Sequence, residues 1–407
     1  MIVSHKHIQG QISLLFGTTL AALLVVTLLL ASSMRQISQQ WYLQNVADAA
    51  ASSGALVMAR ELNFIALTNR ALIANQIALA QLVGLVSWMA MLEDGSKRLA
   101  MISRVVPYLN TFTHQLQNFI RSARPIIEGL IKLAIISQRV VVQAISASQR
   151  AAHVAFTTLI VQTIEEVTFK HDPNLSWEAR HTNGVVPAPW LWWRKIHHPS
   201  TAEPGQLTLS ELALASRDPF SLQRSYTWLD LGILKMKKGG GTELHVEPGG
   251  RWSWQALDTT SLHQRLLFWS SEAQWARGAR YLSHNRRYLN NSDHYGSSTK
   301  YNRAGTRSAK RLARSLQQPM PAFTFTSFKG AAEVPQILVR IKTPSDENEQ
   351  SQQVFSKAGV TFSRPLQVFS RADNSYEGPN LFNALWYSEL KPLTSADKLV
   401  LTVWGRS

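Results

Sequence analysis

Ile12 to Ala31 reads ISLLFGTTLAALLVVTLLLA, and ten residues later Trp41 to Ala51 reads WYLQNVADAAA. The first stretch is twenty residues without a charge, long enough to cross a bilayer as a helix. No charged side chain interrupts the chain between Lys6 and Arg35. A secretory signal has a basic start, a shorter apolar core and a small-x-small cleavage site, which Ala31-Ser32-Ser33 mimics. The length of the run favours a retained transmembrane helix over residues 12–34. Lys6 and the α-amino group precede it and Arg35 alone follows closely, so the count of flanking charges puts residues 1–11 in the cytoplasm and the remainder outside. Ser13, Gly17 and Ala21 recur at intervals of four, placing small residues on one face, the spacing that lets membrane helices approach.

Working outward, residues 36 to about 168 are dominated by Ala, Leu, Ile, Gln and Arg, and read as helix throughout. The first helix is expected to continue from the membrane towards Arg70. Ala71 to Leu92 is charge-free and long enough for a second span, but Asn75, Gln76 and Gln81 favour a helix buried between others. Glu93-Asp94-Gly95-Ser96 carries a turn signal, Pro107 predicts a break in the helix Lys97–Ala123, and Pro125 predicts a boundary before a helix from Ile126 towards Val167. Ile127, Leu130, Ile131, Leu133, Ala134 and Ile136 recur at helical spacing and need a partner surface. A helical bundle or coiled-coil stalk over 35–170 is the simplest arrangement.

Composition changes near His171: eleven of the thirteen Trp lie beyond residue 170. Thr242–Val246, Ala322–Phe328, Gln336–Ile341, Leu366–Phe369 and Lys398–Val403 are rich in β-formers and read as strands. Helices are expected at about Ser261–Ala279 and Thr306–Leu316. Gly239-Gly240-Gly241 reads as a hairpin or loop, and Tyr288 to Arg303 as a mobile loop. The fold class is therefore α+β: an N-terminal transmembrane helix, a helical stalk, and a mixed domain over 171–407 with mainly antiparallel strands.

Several function classes are excluded or lack support. Without cysteine there is no disulfide framework, thiol nucleophile or cysteine metal site. There is no Gly-x-Ser-x-Gly, His-Glu-x-x-His or Walker A pattern, so no enzyme, cofactor or catalytic residue is expected. Adjacent His197 and His198 cannot easily meet one ion from a regular strand, and His284, Asp293 and His294 are a weak alternative metal set. Glu165 and Glu166 point apart on a helix and read as a solvated end. Trp190, Trp192, Trp193, Trp252 and Trp254 suit core packing better than sugar stacking, and the alternation Arg251-Trp252-Ser253-Trp254 puts its two Trp on one side of a strand.

The formal charge is +16, and Arg277 to Arg314 holds ten Lys or Arg against the single acid Asp293. Arg286, Arg287, Lys310, Arg311 and Arg314 are the candidates for docking on anionic lipid or cell-wall polymer. Nucleic acid is the weakest partner, because the anchor places this segment outside the cytoplasm.

Gly10-Gln11 before the apolar run and Leu43-Gln44-Asn45-Val46-Ala47-Asp48-Ala49-Ala50-Ala51 after it resemble the N-terminal module of TadE/TadG-like proteins of the tight-adherence (Flp) pilus assembly system. Val46 in place of Ala is the one departure over those nine positions. Leu381-Phe382-Asn383-Ala384-Leu385-Trp386-Tyr387 is similar to an Asn-Pro-aromatic-Trp-Gln stretch near the end of some members. The resemblance implies an inner-membrane protein that assembles or anchors pili, with other pilus-assembly membrane proteins or pilins as partners and self-association through the membrane and stalk helices. Where pilin-like members carry a Glu five residues after the processing glycine, Leu15 stands here, which makes the chain more TadG-like. The metal-site pattern Asp-x-Ser-x-Ser of many TadG-like proteins is missing; Asp258-Thr259-Thr260-Ser261 has the wrong spacing.

Overall fold

The structure, a computed structural model, describes residues 6–103, 107–181, 196–197, 209–246, 252–266, 269–282, 295–316, 324–328, 334–344, 351–364, 377–395 and 397. The expected strands 366–369 and 398–403, Trp190, Trp192, Trp193, His198, His284, Arg286, Arg287, Asp293 and His294 lie outside the described residues.

The fold is α+β. Two helices dominate it: α1 (Lys6–Ser103) and α2 (Pro107–His171) form an antiparallel hairpin. At 98 residues, α1 is about 150 Å long. Its register against α2 is fixed by polar pairs along its length. Tyr42 donates to the His171 carbonyl, buried Glu61 meets His153, Gln149 donates to Asn69, and Arg124 pairs with Glu93. Beyond the hairpin come β1 (Ser176–His181), β2 (Ile196–His197), α3 (Leu209–Ala215), α4 (Pro219–Leu222), β3 (Tyr226–Asp230), β4 (Leu234–Val246), β5 (Trp252–Leu266) and β6 (Trp269–Leu282). A 3-10 turn at Tyr295–Ser297 leads into α5 (Ser298–Tyr301), α6 (Arg303–Arg311), β7 (Arg314–Ser315), β8 (Ser327–Phe328), β9 (Gln336–Lys342), β10 (Gln353–Phe362) and β11 (Trp386–Leu390).

Among the described residues three sheets form, with orders β1-β9-β10-β11, β2-β8 and β3-β4-β5-β6-β7, and their pairings are antiparallel except β6 with β7. The four-stranded sheet packs on α1 to form a first core with Val46, Ala50, Leu62, Ile65, Val339 and Trp386. The five-stranded sheet packs further along the same helix, where Leu72, Leu79 and Val83 meet Trp252, Trp254 and Ala256. The helices and sheets thus share both cores. The two Trp of β5 do face one side and are core residues.

Ala71 to Leu92 is accordingly the helix buried among other elements. Gln76 is fully buried, and its Oε1 accepts from the Trp254 indole at 3.1 Å. Before the cores begin, α1 is bare: Leu14, Phe16, Leu20, Leu23, Leu28 and Leu30 are more than half exposed. By length and composition α1 and α2 are each apolar enough to cross a membrane. Within the N-terminal run, Thr18, Thr19, Thr27 and Ser32 donate back to carbonyls three or four residues earlier, so their hydroxyls need no water.

Several expectations are corrected. The helix does not turn at Glu93–Ser96. Glu93 is tied to Lys97 and Arg124, Asp94 to Arg98 and Arg277, and Gly95 leaves room for Ala276. Pro125 is not a boundary but sits inside α2 on an exposed face. Ser261–Ala279 is not helix but the end of β5 and most of β6. Leu262, Leu266, Ala273 and Ala276 mimic helical spacing, but pairing of β5 with β4 and of β6 with β5 decides the conformation. The Gly triplet is buried mid-strand in β4, not a loop, because the turn at Tyr295-Gly296 (Gly296 φ +59°) presses on Gly241. Tyr295, within the expected mobile loop, is fully buried and donates to Gln255 at 2.7 Å. The expected helix 306–316 is α6 followed by the short β7, and of 322–328 only β8 is strand among the described residues.

Candidate functional site

The motif residues Leu43 to Ala51 lie where α1 enters the first core. Leu43, Val46, Ala47, Ala50 and Ala51 are buried, Ala49 is half-buried and Asn45 faces outward. Gln44 donates to Asp48 at 2.9 Å and to the Phe355 carbonyl of β10 at 3.2 Å, which ties the helix to the sheet. Gly54 continues the small face: a Cβ there would stand 3.0 Å from Ile164 of α2. The close approach that small side chains allow is therefore used within the chain itself. Asn63 and Asn69 add to this seating through both their own and main-chain groups. Asn63 donates to the Trp386 carbonyl and accepts from its N–H, while Asn69 donates to the Thr326 and Leu381 carbonyls. By contrast Ser13, Gly17 and Ala21 stay exposed, and nothing stands within 4 Å of a Cβ at Gly17. The packing of Gly10 and Gln11 lies outside what the structure describes.

The basic run separates into two parts. On α6, Gly305, Thr306 and Ala309 pack inward, which turns Arg303, Arg307 and Arg311 outward; Lys300 and Arg314 flank them, also exposed. Lys310 lies over the Tyr295 ring at 5.6 Å. Arg314 and Arg280 then leave this ridge and meet residues of α2. With Arg124, Lys132 and Glu128 they line a cleft of about 220 Å³ floored by Val86, Ile131, Ile135 and Leu316.

Four cations and one carboxylate meet in this cleft. Arg124 is already neutralised, by Glu128 at 2.8 Å and Glu93 at 2.5 Å. Arg280 is not: among the described residues it makes no ion pair, and its Nη1 donates to the Ala279 carbonyl at 2.9 Å. Burial, and then the neighbouring Arg314 and Arg124, pull its guanidinium below the usual range. Gathering like charges in partly desolvated space is unfavourable, and a phosphate or carboxylate group entering the cleft would relieve it through charge-assisted hydrogen bonds. Replacing Arg280 and Arg314 by Gln should weaken binding of polyphosphate or a polyuronate about tenfold for each arginine removed, most at low salt. Titration of the full chain in detergent checks this; equal binding by wild type and variant would remove the cleft as a site.

Sequence reading missed Arg124 and Lys132 because they lie about 150 residues before the basic run and only the fold joins them to Arg280 and Arg314, which stand in that run. It also missed two buried charged groups. Burial raises the Glu61 carboxyl on α1, against the pull of His153. In the five-stranded sheet, Asp258 of β5 accepts from Arg224 at 2.9 and 3.1 Å and from Lys238 at 2.6 Å, all three being buried. Among the described residues no three of His, Asp and Glu gather as metal ligands. Glu165 and Glu166 are solvated, Glu166 pairing with Lys170. Compared with protein-family models, curated proteins and solved structures, the chain finds no match in any of the three.

Proposed function

We propose that this chain is a non-catalytic, single-pass inner-membrane protein that assembles or anchors a tight-adherence (Flp) pilus. Its N-terminus lies in the cytoplasm and residues beyond 35 in the periplasm. The observation that carries this reading is the continuity of α1. The helix whose exposed apolar run would sit in the bilayer is the same helix that, from Leu43 onward, nucleates both cores. Such an anchor cannot swivel against its body, so force on the body passes straight to the membrane. The motif resemblance points to pilus-assembly membrane proteins or pilins as the partners, through the bare membrane helix and the body surface. Deleting the gene should abolish surface pili, and a copy carrying residues 1–407 should restore them, counted by electron microscopy. Normal numbers of firmly attached pili in the deletion strain would sink the proposal.

The basic cleft supports a second reading, a module that docks on an anionic envelope polymer. Arg124 lies level with Glu93, about 90 Å along α1 from Ala31. At that distance the head groups of the anchoring bilayer are out of reach, which favours a polymer over that bilayer's lipid as the ligand.

A further inference from the structure

The face of α2 turned away from α1 carries a second apolar row that nothing among the described residues covers. Phe119, Ile126, Leu133, Val140, Ala147 and Val154 recur every seven residues. The five large ones are 61–71% exposed. Leu130, Ser137, Ala144, Ala151 and Thr158 fall four residues after successive members of that row and are exposed too. The opposite face, with Ile131, Ile135, Val142 and Gln149, is buried towards α1 and the second core. Scattered exposed apolar side chains are ordinary, but this is one strip about ten turns long. A strict seven-residue period is the pattern of a left-handed coiled-coil seam, and it selects another helix as the occupant.

We propose that this strip is a self-association seam, along which α2 of one copy packs in parallel on α2 of a second copy. Three observations favour a second copy. The positions flanking the strip, Ser122, Gly129, Ile136 and Gln143 on one side and Ile127, Ala134, Val141 and Ser148 on the other, carry no charge, and Arg150, next in the first series, donates to the Thr324 hydroxyl at 2.9 Å. In a chain of net charge +16 this is the surface along which two identical bodies can meet without strong repulsion. The small residues Ala144, Ala147 and Ala151 let the two backbones come close at the centre. Burying the strip on both copies removes on the order of 1,000 Å² from water, about the lower bound for a specific dimer.

The anchoring bilayer cannot cover the strip instead. Val154 is level with Glu61 and Phe119 with Ser96, so the row runs from about 45 to about 100 Å beyond Ala31. The parallel alignment rests on the proposed membrane anchor, since two copies held in one bilayer point the same way; the seam itself does not.

The absence of cysteine makes the test direct. Full-length chain in detergent should sediment as a dimer. Leu133→Glu combined with Val140→Glu should weaken that dimer about 100-fold or more while leaving the single copy folded, with unchanged circular dichroism, because both side chains are 61–62% exposed in it. In membranes, Ile126→Cys should cross-link to itself on mild oxidation, whereas Gln353→Cys, exposed on β10, should not. In an antiparallel pair position 126 would face 147, about 30 Å away. A monomer at micromolar concentration, or a dimer indifferent to the two charges, overturns the seam. A seam-dependent dimer in which Ile126→Cys fails to cross-link overturns the parallel alignment, and with it the shared anchor.

Discussion

Asp258→Ala should destabilise the protein by about 3–5 kcal/mol, the penalty for leaving buried charges without their partner. Asp258 is fully buried in the middle of β5, with Arg224 and Lys238 as its two cationic partners. Burial alone would raise its carboxyl; the Arg224 guanidinium and the Lys238 ammonium outweigh this and hold it below the usual carboxylate range. Burial pulls the Lys238 ammonium down against the push of Asp258. With two cations on one carboxylate, the deficit falls on the lysine and the carboxylate stays ionised. A carboxyl depressed in the folded state gives stability that is complete above its unfolded value and disappears as pH falls through the folded one. Wild type should therefore keep this contribution through mild acid, and the gap between wild type and Asp258→Ala should close only in strong acid. Lys238→Met should cost less, because Arg224 still holds both oxygens of Asp258. Urea unfolding of the full chain in detergent, followed by fluorescence of the core tryptophans, measures each. A loss below about 1 kcal/mol for Asp258→Ala would contradict the buried-triad account.

Gly278→Ala should cost about 3 kcal/mol or more, at the upper end for overpacking. Gly278 lies in β6 against α1, where Ser87 Oγ donates to its carbonyl at 3.2 Å. An added Cβ would overlap the Ser87 carbonyl oxygen and stand 2.6 Å from the Met91 nitrogen. Both are main-chain atoms of a helix, so no rotamer change relieves the contact. The helix must lift from the sheet, loosening Met91 and the neighbouring second core. The same urea titration reads the loss, and a neutral substitution would show that α1 does not sit this close.

These two residues mark where the sequence stopped being legible. Runs governed by local chemistry could be read: the apolar span, the helical region to about 168, and strands such as Gln336–Ile341. The buried role of Gln76 was also legible, as a polar residue that disfavours lipid. What failed depended on partners far along the chain. Asp258 looked like a failed metal motif because Arg224 and Lys238 stand 34 and 20 residues away. Glu93–Ser96 looked like a turn because the cations that hold it helical lie on α2 and β6 as well as one turn on. The Ala-rich stretch announced a close packing partner, but whether that partner was the chain itself was not written in it. The cleft was half visible: Arg314 stood in the basic run, while Arg124 and Lys132 are brought to it by the hairpin alone.

The central claim is that one helix carries the chain from the cytoplasm through the membrane into a body on the far side. A pair of reporters fused after Ser407, one active only in the periplasm and one only in the cytoplasm, tests it most directly. The account predicts signal from the periplasmic reporter and none from the cytoplasmic one; the reverse pattern would contradict it.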